Sequence, residues 1–253
     1  MGRNMLLTIS KEYIKTLEFN NKFLKNKKID YESMLNEEKI NVNFKNRNVY
    51  IIIEGEEIYI KYLKLPNIKN KHSLNSIIKN ELIFMYGKKS ENIFYTYTIL
   101  NEENNELEVL VFCIYCDKLS CLEKCINDNR VKKINLIQFC FLNYFEKRIE
   151  EKDYVFLFRF NNSLYILGVM KKRMIANRII NEVDCNYDLI VDGLDYVLHK
   201  LDQYNGKVSK IYSANFNDKE FIDYINNLMK YKYVDLGSLS SNKMIEYFTI
   251  TRK

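Results

Sequence analysis

The sequence has no tryptophan, one proline and seven glycines among its 253 residues. So little turn-forming material excludes collagen-like chains and leaves little room for long irregular loops. Long apolar runs are missing too. The longest clean one, Val109 to Cys116, has the length of a strand and falls far short of the roughly 20 residues that cross a bilayer. No membrane span is expected. Met5-Leu6-Leu7 is followed at once by Lys11-Glu12, which is not the apolar stretch of a secretory signal, and Leu6 stands where N-myristoylation wants Ser or Thr. A cytoplasmic location is the expectation.

What is present is ordinary folding material: 47% hydrophobic and 28% charged residues, with 20 Tyr and 15 Phe that favour strands and an aromatic core. The 39 Lys and Arg exceed the 33 Asp and Glu to give +6. The excess is scattered through Lys-Asn segments such as Asn21 to Lys28 and Asn67 to Lys71, and a nucleic-acid surface would concentrate it. No nucleic-acid partner is expected. The cysteines Cys113, Cys116, Cys121 and Cys125 have suggestive spacing, but an offset of three along a strand points Cys113 and Cys116 to opposite faces. Cys121 and Cys125 lie one helical turn apart without further ligands, so buried thiols are expected and no metal. His72 and His199 belong to no ligand-spaced group, and the chain has neither a Gly-x-x-x-x-Gly-Lys-[Ser/Thr] loop nor a Gly-x-Ser-x-Gly elbow.

Along the chain, Leu6 to Leu17 reads as strands, Tyr31 to Lys39 as a helix, and Val49 to Ile53 and Ile58 to Leu65 as strands, the last closed by Pro66. Leu74, Ile77, Ile78, Leu82 and Met85 recur at helical spacing between a Ser73 N-cap and a Gly87 C-cap. Ile93 to Leu100 and Leu107 to Cys116 form a hairpin, followed by a short helix at Lys118 to Ile126 and a strand at Val131 to Leu136. The charged run Glu146 to Asp153 marks either a division of the chain or a solvated helix end. After it come strands at Tyr154 to Phe160, Leu164 to Met170 and Met174 to Ile180. A helix from Ile190 to Leu201, a strand from Val208 to Tyr212 and a helix from Phe221 to Met229 behind an Asn217-to-Glu220 capping box complete the reading. Hairpins followed by crossover helices, once before Lys152 and once after, predict a duplicated α/β plan.

In this order of segments the chain resembles the PilM family, the actin-like cytoplasmic proteins of type IV pilus assembly, related in fold to FtsA. The densest likeness is Tyr62-Leu63-Lys64-Leu65-Pro66-Asn67-Ile68, then Ile77-Ile78-Lys79-Asn80-Glu81-Leu82, then Tyr95-Thr96-Tyr97-Thr98-Ile99-Leu100. Glu106 to Ile114 and Leu136 to Tyr144 resemble the segments that follow. The resemblance implies an α/β, α+β-type fold of the actin-like, ribonuclease H-like kind with two lobes. Residues 1–150 would form the first lobe, with a small subdomain inserted at about 66–130, and residues 151–253 a reduced second lobe. Arg178 to Asp188 passes almost directly into the next helix, where the family carries a further subdomain beside the nucleotide, so that subdomain is expected to be missing.

The departures bear on function. Where the family has an Asp-Ile-Gly turn, this chain has Thr8-Ile9-Ser10, with only the downstream Lys kept, at Lys15. Tyr13 is bulky and Glu12 is negative where phosphate would approach. The second such turn matches Arg159-Phe160-Asn161, so that a magnesium-organising Asp has become a cation. The late Gly-Gly turn matches Ser213-Ala214-Asn215, which has no glycine. Thr8, Ser10, Lys15, Arg159 and Asn161 thus read as a degenerate nucleotide site whose residues serve turns and surface charge, with no ATP, magnesium or other cofactor and no enzymatic activity expected.

The resemblance further implies a scaffold held at the inner face of the cytoplasmic membrane, binding the N-terminal cytoplasmic tail of a PilN-like single-pass membrane protein and linking it to a pilus motor ATPase. Self-association is open as well. Tyr62, Lys64, Leu65, Pro66, Glu81 and Tyr86 are the candidate tail-binding residues, although Leu65, with Ile77, Ile78 and Leu82, equally fits core packing. The alternatives are a weak nucleotide switch resting on Lys15 and a GspL-like scaffold of type II secretion. The latter continues into a membrane span; this sequence ends at Lys253 without one, which favours the PilM-like version.

Overall fold

The computed structural model describes residues 3–11, 13–19, 47–87, 92–103, 105–123, 130–181, 187–216, 218–227 and 231–250. The expected helix at Tyr31 to Lys39, Asn217 of the expected capping box, and Glu12 lie outside them. Contact density divides the chain into a larger unit, Met1–Gly55 with Cys125–Lys253, and a smaller one, Glu56–Lys124.

The larger unit contains two sheets of related plan. In the first, β1 (Arg3–Ile9) and β2 (Ile14–Phe19) form a hairpin, and β3 (Arg47–Ile53) and β7 (Val131–Leu136) add to β1 in parallel, giving the order β2-β1-β3-β7. In the second, β8 (Tyr154–Phe160), β9 (Ser163–Met170) and β10 (Arg173–Asn181) form an antiparallel meander. There β11 (Lys210–Ala214) and β12 (Lys232–Asp235) extend it in parallel on the β8 side, in the order β10-β9-β8-β11-β12. Each sheet thus begins with a tight hairpin and grows by parallel strands, the duplication that the element order predicts.

The near-continuous apolar run of β8 follows from burial on both faces. Val155 and Leu157 turn toward α4 (Tyr187–Gln203) and α5 (Lys219–Asn227), in a cluster with Ile190, Leu194, Val197, Phe221 and Ile225. Phe156 and Phe158 turn the other way, where Phe141 of α3 (Ile137–Phe145) stacks on Phe158 at 4.0 Å and Phe158 stacks on Tyr165 at 4.6 Å. The charged run after α3 is a 3-10 turn at Glu146–Arg148 and a bend that lead into β8 within the larger unit. Residues 182–186 are all that separates β10 from α4, too short a stretch to hold a subdomain. Two elements beyond the expected ones, β12 and α6 (Ser241–Ile250), close the chain.

The smaller unit is a three-stranded antiparallel sheet of β4 (Tyr59–Pro66), β6 (Glu106–Tyr115) and β5 (Ile93–Glu103), in the order β4-β6-β5, with α1 (Lys71–Tyr86) against one face. α2 (Asp117–Glu123) follows β6. The unit begins at Glu56, earlier than about 66, because β4 belongs to its sheet. Leu74, Ile78 and Leu82 supply the buried stripe of α1, as the spacing predicts. Its N-cap, however, is Asn70 and not Ser73: the Asn70 side chain accepts from the backbone N–H of His72 at 2.9 Å and of Ser73 at 3.3 Å. The first turn is polar, so the apolar spacing that locates the helix starts one turn late. Gly87 ends it at φ +58.

Gly168 of β9 lets α4 lie close to the sheet. A Cβ there would sit 2.9 Å from Val197 Cγ1 and 3.2 Å from both Ala176 Cβ and Leu201 Cδ1. Gly168→Val is therefore expected to destabilise the chain by about 1–3 kcal/mol through overpacking, read as a lowered urea midpoint. An unchanged midpoint would mean that α4 yields without cost.

Candidate functional site

Two hairpin turns of the larger unit meet at one buried carboxylate. The first turn joins β1 to β2: Ser10 N–H donates to the Tyr13 carbonyl at 2.9 Å and Tyr13 N–H donates to Ser10 Oγ at 3.1 Å. Both backbone donors are engaged inside the turn, whereas a phosphate cradle turns such donors outward. Thr8 is buried in β1, opposite Lys15 of β2, and the Lys15 ammonium lies 3.9 Å from the centre of the Tyr13 ring. The second turn, Asn161-Asn162, joins β8 to β9 with Asn161 at φ +51, a left-handed conformation that Asn tolerates and a tight hairpin needs.

Between them stands Glu54, the residue after β3. Its N–H donates to the Ile9 carbonyl at 2.8 Å, fixing it beside the end of β1. The Tyr13 hydroxyl donates to Glu54 Oε1, and Asn161 Nδ2 donates to Glu54 Oε2 at 2.8 Å and to the Tyr13 hydroxyl at 3.2 Å. The neighbouring Gly55 N–H donates to the Tyr165 hydroxyl at 2.9 Å. Glu54 is only 3% exposed, and burial raises its pKa to about 7 although the Asn161 hydrogen bond pulls the other way.

Of the five residues expected at a degenerate nucleotide site, the structure brings Ser10, Lys15 and Asn161 to this junction by way of Tyr13. Thr8 lies in the adjacent strand, and Arg159 lies in β8 opposite Leu164. The third turn closes in the same self-contained manner. Asn215, at φ +54, accepts from Leu239 N–H at 2.6 Å and donates from Nδ2 to the Leu239 carbonyl at 3.0 Å, and the Tyr233 hydroxyl donates to buried Ser213 Oγ at 2.6 Å. The sequence reading did not single out Glu54. Its signal is an acidic residue directly after a buried strand, at the carboxyl edge of parallel strands where α/β sites form.

The six candidate tail-binding residues all fall in the smaller unit but do not share one surface. Side chains alternate along β4, so Tyr62, Lys64 and Pro66 stand on one face, with Lys64 3.7 Å from Glu108 across the strand pair. Leu65 points to the opposite face and is core, 5% exposed, together with Leu74, Ile78 and Leu82. Tyr86 packs against that same core from the end of α1, its ring 6.4 Å from that of Tyr59, and Glu81 lies half-buried on α1. Cys113, Cys116 and Cys140 are buried free thiols, and burial raises Cys113 to about 11 and Cys140 to about 12. Among the described residues no group of three or more His, Cys, Asp or Glu is placed to hold a metal, and no helix is long and apolar enough to cross a membrane.

No family model matches the chain, and no curated protein sequence matches it. Solved structures do. A Bacteroides thetaiotaomicron protein with an actin-like ATPase fold and unknown function is similar at a TM-score of 0.54 and 14% identity, over 99% of this chain and 96% of that one. The PilM-PilN type IV pilus biogenesis complex is similar at a TM-score of 0.54 and 12% identity, over 96% and 94%. The cytoplasmic domain of EpsL, an inner membrane component of the type II secretion system of Vibrio cholerae, gives 0.49 and 9%, over 98% and 93%. At such identities the likeness of the first two shows the fold, which is mixed α/β and actin-like.

The carboxylate makes a pH-dependent contribution. Because the folded-state pKa of Glu54 is raised from 4.5 to about 7, its contribution is fully present below pH 4.5 and is lost as pH rises through 7. Relative to Glu54→Gln, wild type is expected to lose about 3 kcal/mol of stability between pH 4.5 and pH 8. Urea unfolding of both proteins across that range checks it. A difference independent of pH would show that Glu54 is solvated.

Proposed function

We propose that the protein is a non-enzymatic, nucleotide-independent scaffold of a type IV pilus or related machine. It stands at the inner face of the cytoplasmic membrane, where it holds the short cytoplasmic tail of a PilN-like membrane protein and links it to a motor ATPase. The observation that carries the partner is the likeness over 96% of the chain to a structure of the PilM-PilN complex. What supports nucleotide independence is the Glu54 junction: Tyr13, Glu54 and Asn161 satisfy one another where a phosphate would need outward-facing donors, and a carboxylate there repels a polyanion. These residues do not fit a magnesium nucleotide.

An extended tail can lay alternate side chains against the exposed face of β4 in the smaller unit. Tyr62 and Lys64, exposed on one face of β4, are the residues of the candidate set able to meet it together.

Calorimetric titration with the N-terminal tail peptide of the PilN-like protein from the same organism, with and without Mg-ATP, tests this. Saturable binding indifferent to Mg-ATP is expected, weakened about tenfold, or about 1.4 kcal/mol, by Tyr62→Ser combined with Lys64→Glu. Binding that appears only with Mg-ATP would restore the nucleotide switch, and no binding in either condition would overturn the tail-holding role.

A further inference from the structure

The two edges of the small sheet differ in chemistry. The β4 edge carries Lys61, Lys64 and a terminal Pro66, the devices that keep a strand edge from pairing with another chain. The β5 edge carries none of them. From Ile93 to Ile99 it reads Ile-Phe-Tyr-Thr-Tyr-Thr-Ile, without a charge, glycine or proline, and among the described residues only β6 pairs with it. Thr96 and Thr98 are exposed and Ile99 is 44% exposed, so side chains at the centre and end of this stretch reach solvent. The register shift between Ile99 and Asn101 ends the regular stretch, and Glu102 and Glu103 follow it.

That stretch is nearly a palindrome. Read backwards it is Ile-Thr-Tyr-Thr-Tyr-Phe-Ile, different only where Phe94 and Thr98 exchange. We infer that β5 is a homodimerisation edge, pairing antiparallel with β5 of a second copy about a two-fold axis at Thr96. In this register Ile93 faces Ile99 of the partner subunit, Phe94 faces the partner's Thr98, Tyr95 faces the partner's Tyr97, and Thr96 faces the partner's Thr96.

Each of these is a pair of good strand formers, of the β-branched, aromatic or Thr-Thr kinds that stabilise neighbouring strands. The pairing joins residues of like parity, so the outward backbone groups of one strand meet those of the other. Charge selects the direction. A parallel in-register pairing would set Glu102 and Glu103 against themselves, whereas the antiparallel one carries the two acidic pairs to opposite ends, beyond the last pair of facing residues. Glu103 already stands opposite Glu106 within the hairpin, which disfavours adding further acid at that end. Two three-stranded sheets would become one continuous sheet, and the interface is isologous, as a two-fold requires.

The test is sedimentation equilibrium of the full chain over a concentration series, with thermal unfolding as the folding control. Wild type is expected to show a concentration-dependent dimer. Thr96→Lys and Thr96→Glu, each placing like charges directly opposite on an exposed position, are each expected to sediment as monomers, with a thermal midpoint equal to that of wild type at a dilution where wild type is monomeric, while Thr96→Val keeps the dimer. An equimolar mixture of Thr96→Lys and Thr96→Glu is expected to recover it, because only a two-fold at Thr96 sets the two charges face to face. A wild type that stays monomeric throughout, or a dimer indifferent to the single charge substitutions, overturns the inference. Tail-peptide binding is read separately, so failure of either proposal leaves the other standing.

Discussion

A carboxylate that is 3% exposed and yet hydrogen-bonded to residues from two hairpin turns sets the terms for the larger unit. Burying such a group is costly unless its oxygens find partners, and the two sheets supply one each: Tyr13 from the β1–β2 turn and Asn161 from the β8–β9 turn. The requirement runs both ways. Asn161 must hold a left-handed backbone, Tyr13 must fold back over its own turn, and β3 must end in register beside Ile9 so that Glu54 N–H reaches the Ile9 carbonyl. The adjacent Gly55 N–H then reaches Tyr165, which stacks on Phe158, which stacks on Phe141. One polar knot is thereby continuous with the aromatic core, and removing one partner leaves an uncompensated buried group and not merely one fewer contact.

The same solution recurs at the three turns of the larger unit that hold Ser10, Asn161 and Asn215. Polar side chains at the first turn close on its own backbone, the second reaches into the junction, and the third clamps the loop at Leu239 through both atoms of the Asn215 amide. A turn built to receive a ligand leaves donors unsatisfied until the ligand arrives; here Ser10 N–H, Tyr13 N–H and Leu239 N–H already have internal acceptors. The likeness shows the fold alone, so fold and activity have to be argued from different residues.

Most of this fold is legible in the sequence because its signals are periodic. β7 falls at Val131–Leu136 as expected, and the hairpin of β5 and β6 and the stripe of α1 follow from alternation and helical spacing. Local chemistry was harder to read than pattern. Asn70 caps α1 before any apolar residue announces the helix, and Glu54 carries no motif, only its place after a buried strand. The candidate tail-binding set shows a different limit. A contiguous run, Tyr62 to Pro66, suggests one site, but strand geometry divides it, sending Leu65 into the core and Tyr62, Lys64 and Pro66 to the other face. Strand and parity are both available from the sequence, which reads Ile58 to Leu65 as a strand; the candidate set follows the resemblance and not that alternation.

The smaller unit has few surfaces left to vary. Its central strand β6 is buried on alternate sides along most of its length: Leu107, Val109, Val111 and Cys113 under α1, and Leu110, Phe112 and Ile114 on the other face. A change on either face of that strand alters packing and is paid in stability. The outer strands face weaker constraints, since half of their backbone groups are not used by the sheet and their side chains are partly solvated. Surface chemistry can therefore change at β4 and β5 without dismantling the core, and the two edges have been given opposite characters, one charged and closed by proline, the other neutral and aromatic. A sheet whose central strand is committed to folding on both faces can change its contacts only at its outer strands.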